Sequence, residues 1–237
     1  RDTDRSRGLG DVYKRQLYMY IDKHYPFEMI PLNYSLTSFE DFLDFQTLSI
    51  HYNQIYKEYV ENLNQLLSNE TALQGLSLDE ILFNESILPI HKKDEIIKNA
   101  SGAYNHQIIF QSMTPNPIVM VSTNLKHAIE KKYHSMHEFY QKFKDACMSI
   151  GNCGFVFLVC DKAGNISIVK KKGNITTVPD NLCPILGIDL FEHAYYLKYH
   201  HNIKAYVDNW MKYICFEYAN HEYKECLKAI ENTTKIN

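Results

Sequence analysis

No stretch of the 237 residues is apolar over anything near the about 20 positions a membrane-spanning helix needs, so a protein in aqueous solution is expected, with no membrane partner. No Cys-x-x-Cys pair occurs among the six cysteines, Cys147, Cys153, Cys160, Cys183, Cys215 and Cys226. That spacing fits neither a structural zinc site nor a small disulfide framework, and reduced, mostly buried thiols of an intracellular protein are expected. Charge of either sign is nearly balanced: a formal net charge of −3 argues against general affinity for phosphate backbones, and no nucleic-acid partner is expected. No secretory signal accompanies the Asn-x-Ser/Thr triplets at Asn69, Asn84, Asn174 and Asn232, which arise readily by chance in an Asn-rich chain. Residues 1–16 lack an initiating Met and mix Arg with Asp, unlike an acid-poor mitochondrial leader; they read as a disordered or non-native extension. Internal repeats and low-complexity tracts are absent.

What is present suffices for a real core: 27.8 kDa, 45% hydrophobic and 22% charged residues. After the proline-bearing lead-in Tyr25–Leu36, apolar and aromatic residues recur at helical spacing at Leu48, His51, Ile55, Tyr59, Leu63 and Leu66. A polar stretch follows around 68–94, then a second helical pattern from about Asp94 to Met113 that places Ile96, Asn99, Gly102, Ala103, His106 and Phe110 toward one side. Two long helices in sequence predict an antiparallel hairpin. The TPNP segment at 114–117 breaks the pattern. Beyond it, a helical region over 124–147, an apolar strand over 155–160, a turn at Asp161–Gly164, a strand over 166–169, a strand over 184–189, and helices over 193–200 and 204–218 are predicted. The fold class is α+β: an N-terminal α-hairpin domain (17–115) and a C-terminal α/β domain (116–237) with a small antiparallel sheet flanked by helices.

The densest chemistry lies in Asp189-Leu190-Phe191-Glu192-His193-Ala194-Tyr195-Tyr196. An Asp at a strand end and a His four residues on, at a helix start, can converge on one point, and a carboxylate with imidazole suits Fe, Mn or Zn. Alone, that spacing is compatible with an ordinary helix start. His51 and His106 on the inner faces of the two long helices are each compatible with a core histidine. Together the four offer three nitrogens and one carboxylate, a set that leaves a position open for substrate.

With these residues in view, the order PFEMIPLNYSL, HYNQIYKEYVENLN, ASGAYNHQIIFQSM, DLFEHAYYLKY resembles the iron/manganese superoxide dismutase family from about Tyr25 to Asn220. The resemblance implies one Mn or Fe ion per chain, Mn slightly favoured, held by His51, His106, Asp189 and His193. It implies superoxide as substrate, and a homodimer or homotetramer in the mitochondrion or cytoplasm. It also implies Tyr59 as the aromatic gate beside the metal, and Glu192 as a carboxylate that reaches a ligand histidine across a dimer interface.

The chain departs from the family pattern at several places. Ile55 stands where the family has a His that bonds a tyrosine of the other subunit, the position of Tyr196 here. Phe155, Phe157 and Phe191 stand for tryptophans, leaving Trp210 as the single one. Gly102 occupies the place of a Gln used by iron enzymes, and Asn174 falls where manganese enzymes carry a loop Gln. The run Lys170-Lys171-Lys172 reads as a solvated hairpin edge. These changes leave a rival reading, a catalytically relaxed structural subunit of a larger assembly such as a mitochondrial ribosome, although such a scaffold has little reason to keep all four ligands. A zinc-binding hydrolase on the same fold finds no supporting Ser/His/Asp arrangement.

Overall fold

The computed structural model describes residues 24–118 and 123–236, with side chains up to residue 231. The extension 1–16 therefore lies outside the described residues. The first long helical run is α1 (Phe45–Ile50), a π-helical segment (His51–Tyr56) and α2 (Lys57–Leu67), continuous in direction. Asp44 starts it: its carboxylate accepts from the Thr47 amide at 2.8 Å and the Thr47 hydroxyl at 3.0 Å. Within the polar stretch, α3 (Leu78–Phe83) is set by a capping box between Ser77 and Glu80. The second long helix, α4 (Lys93–Gln111), returns against α2 and closes the predicted hairpin. It is buried along most of its length because the sheet covers its C-terminal half.

The helical region predicted over 124–147 is two helices, α5 (Asn124–Tyr133) and α6 (Met136–Ile150). His134 at φ 70° ends the first, and the Ser135 hydroxyl accepts from the Glu138 amide at 3.1 Å to begin the second. Three antiparallel strands follow: β1 (Gly154–Cys160), β2 (Ile166–Lys172) and β3 (Cys183–Asp189), in the order β2-β1-β3. Central β1 is wholly buried, as its unbroken apolar run requires. The β1–β2 turn is built by Asp161, whose carboxylate accepts from the Ala163 and Asn165 amides, with Gly164 at φ 80°, where a side chain would be strained. The lysine run lies on edge strand β2, where Lys171 pairs with Asp180.

The sheet separates two cores. Val156, Leu158 and Cys160 face the main core, whereas Phe155, Phe157 and Val159 face Ile108 and Ile109 of α4. Ser112, just past α4, ties that helix to the sheet: its hydroxyl donates to the Ile108 carbonyl at 2.7 Å and accepts from the Gly187 amide at 2.9 Å. After β3 come a 3-10 turn (Glu192–Ala194), α7 (Tyr196–Tyr199), α8 (Ile203–Trp210) and α9 (Phe216–Ile236). The helix predicted over 204–218 is thus interrupted, since Ile214 leaves it to bridge Met113. The cysteines also differ from expectation. Cys183 and Cys226 are joined as a disulfide that links β3 to α9, and Cys153 is exposed, whereas Cys147 and Cys160 are the buried free thiols foreseen. Their separation of 43 residues hid the pairing, which only the docking of α9 on β3 creates. Among the described residues no helix is long and apolar enough to cross a membrane.

Candidate metal centre

Four separate elements deliver the four predicted ligands. His51 opens the π-helical segment, whose wider turn aims the ring inward past Phe110, 4.9 Å away between ring centroids. His106 sits on α4 and is 1% exposed. Asp189 ends β3, opposite Phe155. Its Oδ1 accepts from the Phe191 amide at 2.8 Å, and this tight turn leads into the 3-10 segment that swings His193 back over the carboxylate.

One ligand atom from each of His51, His106, Asp189 and His193 lies within 4.8 Å of the others. Around Asp189 Oδ2, the Nε2 atoms of His193, His51 and His106 stand at 3.1, 3.2 and 3.9 Å. Atoms each about 2.1 Å from one ion are about 3.0 Å apart at 90° and about 4.2 Å apart at 180°, a range that holds all three distances to Oδ2, so the donors are gathered closely enough to share a single cation. The His51 and His106 Nε2 atoms are fully buried without a hydrogen-bond partner; the 3.2 Å approach of His51 to Asp189 lacks hydrogen-bond geometry. Two orphaned imidazole nitrogens facing a carboxylate are costly unless something binds them. The other nitrogen of His106, Nδ1, lies 2.7 Å from the Gly102 carbonyl, which fixes the tautomer with Nε2 unprotonated and turned to the site.

The electrostatics agree. Burial lowers the pKa of His51, and pushes that of His106 down to about 3, so both rings are neutral and able to ligate. Burial alone would raise the Asp189 carboxyl, but the His193 and His51 rings outweigh it and hold it well below the carboxylate range. His193 is raised: burial opposes its charging, yet the Asp189 carboxylate prevails. The Asp189 carboxylate thus favours positive charge at this point, as a cation site requires.

Around this set, Tyr59 of α2 lies 5.3 Å from His106 between ring centroids and is half-buried. Burial, then the Asp189 and Glu58 charges, raise its hydroxyl pKa. Phe191 stacks on His193 at 5.4 Å, and Phe155 meets His106 at 6.3 Å. Glu192 and Tyr196 are exposed beside His193: Glu192 accepts from Asn152 at 2.7 Å, and Tyr196 meets His200 edge-on. Asn174 is not gathered here. Its amide donates to the Lys98 carbonyl at 2.9 Å, because the loop after β2 lays it along an outer turn of α4, eight residues or about 12 Å of helix before His106.

Several supporting contacts escaped the sequence reading. Tyr56 stacks on His106 with planes 7° apart, and the Tyr206 hydroxyl donates to the Asp189 carbonyl at 3.0 Å. Gly102 permits a close approach: a Cβ there would lie 2.3 Å from the Tyr59 ring. Only the Gly four residues before a candidate ligand hinted at that last contact.

Comparison with known proteins matches residues 26–114 to the family model described as iron/manganese superoxide dismutases, alpha-hairpin domain. Residues 121–222 match the model for the C-terminal domain of the same enzymes. Among curated relatives, superoxide dismutase [Mn] 1 of Leptolyngbya boryana is 31% identical over 202 residues, covering 84% of this chain and 82% of its own length. Superoxide dismutase [Mn] of Thermus aquaticus is 29% identical over 200 residues, 84% of this chain and 98% of its own. With two matched domains spanning the ligand-bearing elements, and three histidines and an aspartate closed on one point, the chain belongs to the iron/manganese superoxide dismutase family.

Proposed function

We propose that this superoxide dismutase works with manganese, that Tyr59 is the hydroxyl beside the substrate, and that the enzyme is a homodimer. The observation that carries the reaction itself is the convergence of the four ligand atoms within 4.8 Å. The metal reading is supported by the relatives named as manganese enzymes and by Gly102, whose Cβ direction is filled by Tyr59, leaving no room there for a glutamine.

A bound ion of this kind supplies a one-electron couple, oxidising one superoxide to O₂ and reducing the next to H₂O₂. Everything else falls to the chain. His51, His106, Asp189 and His193 hold the cation, with the Gly102 carbonyl orienting His106. Reduction of superoxide needs two protons. Tyr59, like any tyrosine, keeps its phenolic proton at neutral pH, and its raised pKa holds it more firmly. Its ring packs on His106 and is half-buried, whereas Tyr56, the other tyrosine on that ring, is buried with its hydroxyl accepting from the Ile30 amide. Phe110, Phe155 and Phe191 exclude bulk water from the rings.

The dimer reading rests on the outer rim. His193 is 26% exposed, and Glu192, Tyr196 and Leu197 beside it are open to solvent. A second copy seated there would complete the wall and bring its Glu192 toward His193. Opposite Tyr196 such an interface would meet Ile55, which offers no hydrogen bond. The decisive experiment combines elemental analysis with a superoxide-removal assay on one preparation reconstituted separately with Mn and Fe. The Mn form is expected to be the active one at near one ion per chain; an active Fe form beside an inert Mn form would refute the metal assignment. Sedimentation of the loaded enzyme should give twice the chain mass.

A further inference from the structure

At the end of the sheet remote from the metal, three cysteines share one face. Cys160 of β1 lies directly opposite Cys183 of β3 in the strand register, and Cys226 of α9 closes over Cys183. Cys183 is partly exposed, whereas Cys226 and Cys160 are 6% and 1% exposed. We propose that Cys183 and Cys226 form a peroxide-responsive thiol pair, closed to a disulfide by the hydrogen peroxide this enzyme family produces, which fastens α9 to the sheet.

The geometry selects the pair. Cys183 and Cys226 have a Cα separation of 6.3 Å, inside the about 4.4–6.8 Å that disulfides span. Directly opposed strand residues carry Cβ atoms about 4.5–5.5 Å apart, wider than the about 3.5–4.5 Å of a disulfide. Cys160 is therefore the wrong partner despite its adjacency. Burial also pushes its thiol up to about 11, so it stays protonated and unreactive at neutral pH.

The chemistry balances without another reagent. The Cys183 sulfur attacks one peroxide oxygen, the O–O bond breaks, and hydroxide leaves and takes the thiol proton as water, giving a sulfenic acid. The Cys226 sulfur then attacks the Cys183 sulfur, the S–O bond breaks, and the hydroxyl departs with the Cys226 proton as a second water. Two thiols lose two electrons and one peroxide gains them. Solvent reaches Cys183 first, which makes it the attacking residue and Cys226 the resolving one.

The consequence is local. Beside the bond, α9 is held here by the Tyr223 hydroxyl donating to the Gly164 carbonyl at 3.2 Å and by Leu227 packed over Gly164. Asp189 is six residues along β3 from Cys183, about 20 Å of strand, so metal ligation is untouched by closure.

The test treats fully reduced, metal-loaded enzyme with hydrogen peroxide, blocks remaining thiols with N-ethylmaleimide, and maps non-reduced peptides by mass spectrometry. A Cys183–Cys226 peptide should appear, Cys160 should be alkylated only after denaturation, and amide exchange over 220–230 should slow several-fold while superoxide removal stays unchanged. In Cys226→Ser the resolving thiol is absent, and a dimedone adduct on Cys183 should replace the link. The proposal is overturned if both cysteines stay free under peroxide, if Cys160 takes the link, or if the bond persists in protein kept under excess dithiol. Added peroxide probes the thiols independently of dismutase activity, so failure of one does not mimic failure of the other.

Discussion

The His106 ring is constrained on every side: Nδ1 by the Gly102 carbonyl, one face by Tyr56, an edge by His51. Its replacement by Ala should remove a quarter of the donor set and leave buried space, and metal content measured per chain should fall close to zero. Tyr59→Phe, by contrast, should retain the metal and mainly slow turnover, since only the hydroxyl is lost. A Cβ at Gly102 would stand 2.3 Å from the Tyr59 ring, so Gly102→Ala should force the ring aside, costing about 1–3 kcal/mol in chemical denaturation together with a drop in activity. The same residues set an acid limit on the metal-free protein. His51 and His106 are held below the about 6.5 at which unfolded histidines titrate, His106 down to about 3. In that window the unfolded chain binds more protons, so stability rises with pH and is lost as pH falls from about 6.5 toward 3. The lowered Asp189 carboxyl works in the same direction at the acid end. His193, being raised, has the opposite sign: its contribution is full below the unfolded value and lost as pH rises through the folded one. That loss lies above about 6.5, outside the acid window, so urea midpoints of metal-free protein should decrease steadily on acidification from about 6.5 toward 3.

At the scale of elements, the ligands depend on how each helix or strand begins and ends. The Asp44 cap fixes the start of α1 one turn and a half before His51, with two bonds to Thr47. Asp44→Ala should cost about 1 kcal/mol in unfolding free energy, and the loss should show in the midpoint of a urea transition rather than in its slope. The paired long helices were legible because Leu48, His51, Ile55, Tyr59 and Leu63 keep a helical period. The π-helical turn inside them was not, because one extra residue per turn changes hydrogen-bond partners and leaves the apolar stripe nearly intact. Likewise β1 stood out as an unbroken apolar run, whereas the division of 124–147 rests on one left-handed residue, His134, that carries no glycine to announce it.

Across the whole molecule, the helical hairpin and the sheet are joined through few but well-placed contacts. Ser112 bonds both Ile108 and Gly187, while Ile108 and Ile109 pack on Phe155, Phe157 and Val159. Ser112→Ala would strand a buried amide on β3, and a loss of about 1–3 kcal/mol is expected, with a weaker hold on the metal because β3 carries Asp189. Ligand candidates were readable in advance: residue type, helical phase and the Asp-x-x-x-His spacing are local properties of the chain that left each one open, and the family resemblance singled out His51, His106, Asp189 and His193 together. The surroundings were not readable in the same way. Asn174 went to the Lys98 carbonyl instead of the metal side, Tyr59 filled the space over Gly102, and Cys183 found Cys226. Each of these depends on where a loop or helix lies after packing, with partners tens of residues apart. The sequence by itself determined which atoms can ligate and which elements carry them; only the tertiary structure decided what stands behind those atoms, because close packing is set by contacts between distant segments that no local pattern encodes.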